Sequence, residues 1–408
     1  MRIAILGAGN TGTCAALELA RRGHRVDLYD EATAPVSRAS FHNEGKVHLG
    51  ILYAKDASLR TAALMIRGAL MFAPLLDRWV GWNRDRVMLS TPFYYGVHVN
   101  TMVDPAGLKA HYARCREIFD AERAAQGSGA SYLGVDRTMA VDELSRAETD
   151  AMVTPEYFVT MFRTTERAVD PRTVARLLRA AALEHPRIAF VGETRVTSVG
   201  RLDGSGLRVA FRKDGGVHEE RYDQVANTLW HGRLEIDATM GLQPDYPWMY
   251  RYKFANRVLV PLAPDDVPSI TCVLGPFGDI VNYGPNGLFL SWYPEGMIGT
   301  SHALRPPEWD RELTQERRQE VFRRSLAEWV KRCPALRSLS FRARDVDPGG
   351  GVIFAWGDTD VDDHGSKLHE RHELGVYSSG GYHTVNTGKY TMTPYMGLKT
   401  AERILGLS

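Results

Sequence analysis

With 408 residues, 44% of them hydrophobic and 24% charged, the chain is long enough to bury a sizeable core and divide into two or three domains. Fifty Lys plus Arg against 49 Asp plus Glu leave a net charge of +1, so charge gives no reason to expect nucleic acid or an anionic membrane as partner. The four cysteines, Cys14, Cys115, Cys272 and Cys333, are dispersed, form no CxxC pair and read as idle thiols.

The chain opens on a short apolar run at residues 2–6, too short to span a bilayer and not preceded by a signal peptide. A cytoplasmic protein without a membrane span is therefore expected. Gly7, Gly9 and Gly12 follow as GxGxxG, then an apolar helical face over Ala15, Ala16, Leu17, Leu19 and Ala20, then a second strand ending at Asp30. Gly7 permits a tight turn, Gly9 lets a pyrophosphate approach the backbone, and Gly12 lets helix and strand pack closely. Unpaired N–H groups at the helix start face the phosphates, and Asp30 can accept from the ribose hydroxyls. This is a dinucleotide-binding unit.

The polar, small-residue stretch after Asp30 suits an extended cofactor, with Arg38, Ser40 and Asn43 near phosphate or flavin. A helix is expected at 61–79, a strand at 92–100 and helical or mixed structure at 104–126 and 140–148. Asp170 caps a helix opened by Pro171, and strands follow at 188–192 and beyond, with a turn at Gly215–Gly216. Residues 224–230 read as a returning core strand, and 247–300 as a mostly antiparallel sheet. A charged amphipathic helix at 310–332, a strand at 376–378, a loop over Gly380–Thr393 and a last helix from Pro394 to Leu405 complete the chain. His364 with Asp358, Asp360, Asp362 and Asp363 lacks well-spaced metal ligands, so no metal is expected.

These features resemble the D-amino-acid-oxidase-like superfamily of FAD-dependent oxidoreductases, which includes glycine and sarcosine oxidases and 2-hydroxyglutarate dehydrogenases. The resemblance rests on the GxGxxG unit with Asp30, SFHNEGKVHLGILY, the Glu166-x-Ala-Val-Asp170 segment and GGYHTVNTGKYTMTPYMG. It implies FAD, and an α/β plus α+β fold: a Rossmann-type FAD-binding domain with an inserted, mostly antiparallel-sheet substrate domain. The FAD-binding parts would be 1–95, 156–235 and 345–408, and the substrate parts 96–155 and 236–344. Gly7, Gly9, Gly12 and Asp30 would hold the ADP portion. Arg38, Ser40, Asn43, Gly45 and Lys46 would line the path to the flavin, and the Val196 backbone would meet adenine. Thr387, Gly388, Lys389, Tyr390 and Thr391 would approach the flavin pyrimidine edge, where reduction places negative charge.

The implied reaction moves a hydride from a small amine, amino acid or 2-hydroxy acid to flavin N5, with oxygen or an electron carrier as final acceptor. His48, Tyr53 and His383 are candidate catalytic groups, with Tyr283 and Tyr382 beside them. Arg342 and Arg344 are the first candidates to grip a substrate carboxylate, Arg251 the third. A histidyl link to flavin through His42 or His48 stays open. Alternatives are a flavin monooxygenase, suggested by Gly357-Asp358, and a noncatalytic flavin-binding interaction protein.

Overall fold

The first strand, Arg2–Leu6, is apolar after Arg2 because both its faces are covered. Ile3 and Ile5 pack against helical residues such as Ala15, Ala16 and Leu19, while Ala4 and Leu6 pack against Val196, Val209 and Phe211 on the other side. The computed structural model describes residues 1–82, 85–127 and 129–407.

Six strands form the nucleotide-side sheet, in the order 375–379, 382–386, 224–227, 2–6, 25–29 and 188–191. All neighbours are parallel except the edge pair Gly375–Ser379 and Tyr382–Asn386. Helices Asn10–Arg21, Arg60–Val80, Pro171–Glu184 and Thr393–Ile404 pack together on one face. A three-stranded antiparallel meander, 195–201, 207–213 and 216–222, covers the other. Its second turn lies at Asp214–Gly215, one residue earlier than expected, because both residues there take positive φ.

The second sheet runs 297–301, 248–258, 288–292, 278–282, 269–272, 93–98, 158–164 and 141–143, with 346–356 also paired to 248–258. Only 269–272 and 93–98 are parallel neighbours. Helix Gln315–Arg332 closes one face through Trp329, which packs with Leu288, Leu290 and Trp292 and donates to the Ser291 carbonyl at 2.7 Å. Thr314 caps this helix and separates it from the short Trp309–Glu312 turn, so the single expected helix is two. Phe289, of opposite parity, points its phenyl ring away from Trp329 towards Ala255 and the nucleotide-side core.

Two stretches differ from the sequence reading. Phe158–Thr164 and Val346–Trp356, assigned above to FAD-binding parts, are strands of the antiparallel sheet. Their register partners are distant in sequence, which local pattern does not reveal. The expected loop Gly380–Thr393 contains the parallel strand Tyr382–Asn386, buried along its whole length despite polar His383, Thr384 and Asn386.

Candidate functional site

Four parallel strands end on one cavity. Gly7 follows the first, Asp30 the second, Thr228 the strand Gln224–Asn227 and Thr387 the strand Tyr382–Asn386, and all four residues line it. Ligands of open α/β sheets bind beyond the carboxyl ends of the strands, where side chains from several strands converge. The cavity encloses about 1500 Å³, its open mouth included, and runs from Asp30 and Glu31 past Ser37–Ser40 to Glu44, Lys253, Phe289 and Thr387–Tyr390.

At the near end, Gly7 has φ +97°, and a Cβ there would lie 2.8 Å from the Thr228 carbonyl oxygen. A Cβ on Gly12 would sit 1.9 Å from the Gly7 carbonyl oxygen, so Gly12 serves helix packing and does not itself line the cavity. Helix Asn10–Arg21 begins at Gly9 with no side-chain cap and no acidic residue in its first turn, leaving its positive end open to an anion. The Asp30 carboxylate accepts from Ala8 N and Ala32 N, both at 2.8 Å, which fixes it at the wall with acceptor capacity left for hydroxyls. Burial raises its pKa, and those two amides oppose the rise.

The following loop is braced from within. Ser40 Oγ accepts from Asn10 N at 3.0 Å, and Asn43 donates to the Ala39 and Ser40 carbonyls while accepting from Gly45 N. Arg38 lies at the wall, 3.2 Å from Glu31. His42 also lines the cavity, and its Nδ1 is buried without a hydrogen-bond partner. Its ring lies against Gly349, where a Cβ would fall 2.2 Å from Nδ1.

Beyond the loop stand Glu44, Lys253 and Lys389. Burial first, then the charges of Arg371, Arg251 and Lys253, lower the Lys389 pKa to about 7, against an opposing pull from Glu44. Burial would raise the Glu44 pKa, but Lys253, Lys46 and Lys389 hold it below the usual value. Residues 251, 253 and 255 share one face of strand Trp248–Val258, so Arg251 follows Lys253 at about 6.6 Å along the strand. Arg251 donates to Tyr293 OH and Asp360 Oδ1, both at 2.8 Å, and its Nε is buried without a partner. Arg371 is 7% exposed, and its guanidinium donates to the carbonyls of Leu368 and Phe354. No carboxylate pairs with it among the described residues.

Other candidates lie elsewhere. Gly45, at φ +61°, packs on the Val169 carbonyl, and Thr391 Oγ1 accepts from His48 N, so both stitch the loop behind the wall. Lys46 is buried and donates to Asp279 at 2.6 Å, bracing the nucleotide side against the substrate sheet. The Val196 side chain is buried in the core beside Tyr29 and Phe211, which leaves only its backbone to face a ligand. His48 and Tyr53 are buried behind the cavity with ring centroids 5.7 Å apart, and His48 Nδ1 is 3.4 Å from Glu166. Burial lowers the His48 pKa, and Glu166 opposes the fall.

Three candidates are displaced from the site altogether. Arg342, 69% exposed, pairs with Asp345 at 3.0 Å in a surface turn, and Arg344 is exposed beside it. That turn lies at the outer end of strand Val346–Trp356, away from its cavity-lining residues Gly351–Ile353. His383 is held between Ser378 Oγ and Gln224 Oε1, each at 2.8 Å, inside the parallel sheet. Tyr283 and Tyr382 are likewise engaged, with the Glu44 carbonyl and with Asp237.

The family model described as DAO, FAD-dependent oxidoreductase, matches residues 2–403. The chain belongs to this family of FAD-dependent oxidoreductases. Its sequence is 28% identical over 161 residues to a D-amino acid dehydrogenase of Allorhizobium ampelinum, a match spanning 37% of each chain. A 50-residue stretch is 46% identical to a D-amino acid dehydrogenase of Cereibacter sphaeroides, covering 12% of each. In fold it is similar to glycine oxidase from Geobacillus kaustophilus, at TM-score 0.68 and 17% identity, over 100% of this chain and 95% of that one. Iminodiacetate oxidase from Chelativorans sp. BNC1 gives TM-score 0.66 and 18% identity over 100% and 96%.

For an FAD-dependent oxidoreductase the wall fits the cofactor: glycines that admit a close ligand, an uncapped helix start, a carboxylate fixed at the end of the second strand, an unpartnered His42 Nδ1 and a lysine at the far end. Of the cavity wall the sequence reading missed Glu31, Glu44, Thr228–Gly232, Lys253 and Arg305, and behind the wall it missed Arg371. Alternation in WMYRYKFAN carried a signal for Lys253, since it puts Arg251 and Lys253 on one face. Arg371, in a stretch of irregular loop, carried none. No helix among the described residues is long and apolar enough to cross a membrane, and no group of three metal-ligating side chains occurs among them.

Proposed function

We propose that the protein oxidises a small carboxylate-bearing amine, amino acid or 2-hydroxy acid, with FAD held along the cavity. Gly7, Gly9 and the helix start would hold the pyrophosphate, Asp30 the ribose, Arg38, Ser40 and Asn43 the linking chain, and Thr387–Tyr390 the flavin edge. When bound, FAD supplies the hydride acceptor for the substrate C–H bond.

The observation that carries the substrate reading is the convergence of cations at the far end. Lys253 and Lys389 are at the wall, and the charges of Arg371 and Arg251, which stand behind it, reach Lys389. A cluster of cations around a partly enclosed cavity favours an anionic ligand, and a substrate carboxylate on Lys253 and Lys389 would supply one. Lys389, placed where negative charge develops, would stabilise that charge. His48 and Tyr53 stand behind the wall, so they support the loop and do not touch substrate. The D-amino acid dehydrogenase relatives favour an amino acid over a hydroxy acid.

The test is anaerobic reduction of the purified yellow protein by amino acids, N-methyl amino acids and 2-hydroxy acids. Bleaching by one carboxylate-bearing class, and by no neutral analogue, is expected. Reduction by NAD(P)H alone would overturn the reading.

A further inference from the structure

The adenosine end of the cavity holds a feature that cofactor contacts alone do not require. Glu31, directly after the ribose-side Asp30, lines the cavity and gathers three arginines from three separate segments. Arg305 Nη2 reaches Glu31 Oε1 at 2.7 Å, Arg38 Nη2 reaches Oε2 at 3.2 Å, and Arg195 lies at 3.9 Å. Arg305 follows strand Met297–Ser301 of the antiparallel sheet, and its other Nη bonds Glu235 at 3.0 Å, on helix Arg233–Thr239 of the nucleotide side. Arg305 itself lines the cavity, beside Gly232 and His231. The same approach is secured by Trp230, at φ +57°, whose indole N–H donates to the Val352 carbonyl at 2.7 Å.

We propose that Glu31 and Arg305 form a clasp: the substrate domain closes over the adenosine end and holds the cofactor in by linking to the nucleotide side, not by charge attraction. Both side chains are 15–17% exposed, so the pair is neither buried nor freely solvated, and the two hydrogen bonds that Arg305 donates, one to Glu31 and one to Glu235, give it fixed geometry. A carboxylate on the wall of this cavity offers no electrostatic attraction to an anionic cofactor. Its presence is explained if its service is to anchor Arg305. The inference rests on the reading of the cavity as an FAD site.

Two variants separate clasp from simple charge. Arg305→Gln weakens retention on either account. Glu31→Gln removes a negative charge near an anionic cofactor, so charge attraction alone predicts slower release, whereas the clasp predicts faster release. The measurement is the rate and equilibrium of FAD dissociation, followed by the recovery of flavin fluorescence on dilution, in wild type, both single variants and the double variant. Expected is about tenfold faster release for each single variant, with the double variant no faster than either. Arg305→Lys, which keeps charge but not the two-carboxylate geometry, is expected to release FAD faster than wild type as well. Unchanged or slower release from Glu31→Gln, or multiplicative effects in the double variant, would overturn the clasp. Failure of wild type to bind FAD at all would instead overturn the cofactor site.

Discussion

Lys389 is a cavity-wall residue whose protonation changes on folding. Burial and neighbouring cations bring its pKa down to about 7, whereas an unfolded chain keeps the ordinary lysine value of 10.5. Between these values the unfolded state binds the extra proton, so this group's contribution makes the fold more stable as pH rises, and the gain is absent below about pH 7. The same titration has an opposite sense for ligands. A simple carboxylate such as acetate, detected by its perturbation of the flavin spectrum, is expected to bind more weakly above pH 7, and Lys389→Met to flatten that dependence. Retention of the pH dependence in the variant would place the titrating group elsewhere. Arg371→Met is expected to raise KM about tenfold with a smaller effect on kcat, because a positive charge behind the wall that attracts a substrate carboxylate is lost in ground and transition states alike. Arg342→Ala, in its exposed turn, is expected to leave KM unchanged, and steady-state kinetics on the two variants decides between these arginines.

At the scale of elements, close approach and caps position the site. Helix Asn10–Arg21 can present its start to the cavity only because nothing projects from Gly12 towards the Gly7 carbonyl. Gly12→Ala is expected to cost about 3 kcal/mol or more, since the contact is backbone and cannot yield, and to lose FAD with it. Urea unfolding and bound-flavin content measure the two effects. Asp170 caps helix Pro171–Glu184 through Arg172 N, but it also accepts from Asn286 and lies 3.3 Å from buried Arg257 of the antiparallel sheet. Asp170→Ala is therefore expected to cost about 3–5 kcal/mol, against about 1 for a cap alone, because a buried guanidinium loses its carboxylate. A loss near 1 kcal/mol would show that the cross-domain pair adds little.

For the whole molecule, the cavity is a seam: its walls come from the parallel sheet, the loop after Asp30 and the antiparallel sheet, so a ligand there binds both layers together. FAD at a hundred times its Kd is expected to add about 2.7 kcal/mol of stability, seen as a rise in Tm that depends on FAD concentration. A Tm independent of added FAD in a preparation stripped of flavin would contradict a site built across the seam.

What the sequence determined by itself was local: the strand–glycine–helix–strand unit ending at Asp30, the Asp170–Pro171 helix start, and alternation over residues 247–300. Each depends on neighbours within a few positions, which is the range of turn, cap and periodicity rules. The small-residue loop holding Ser40 and Asn43, and the Thr387–Tyr390 segment, were recognisable by their likeness to a family. Tertiary structure alone decided which basic residues gather near the far end of the cavity. Arg342 and Arg344 looked well placed along the chain, yet their turn lies at the surface, while Arg251 and Arg371 are buried behind Lys389. Arg305 reaches Glu31 across 274 positions. Such choices follow from which strands pair and which faces they bury, and pairing across hundreds of residues leaves no mark on the sequence nearby.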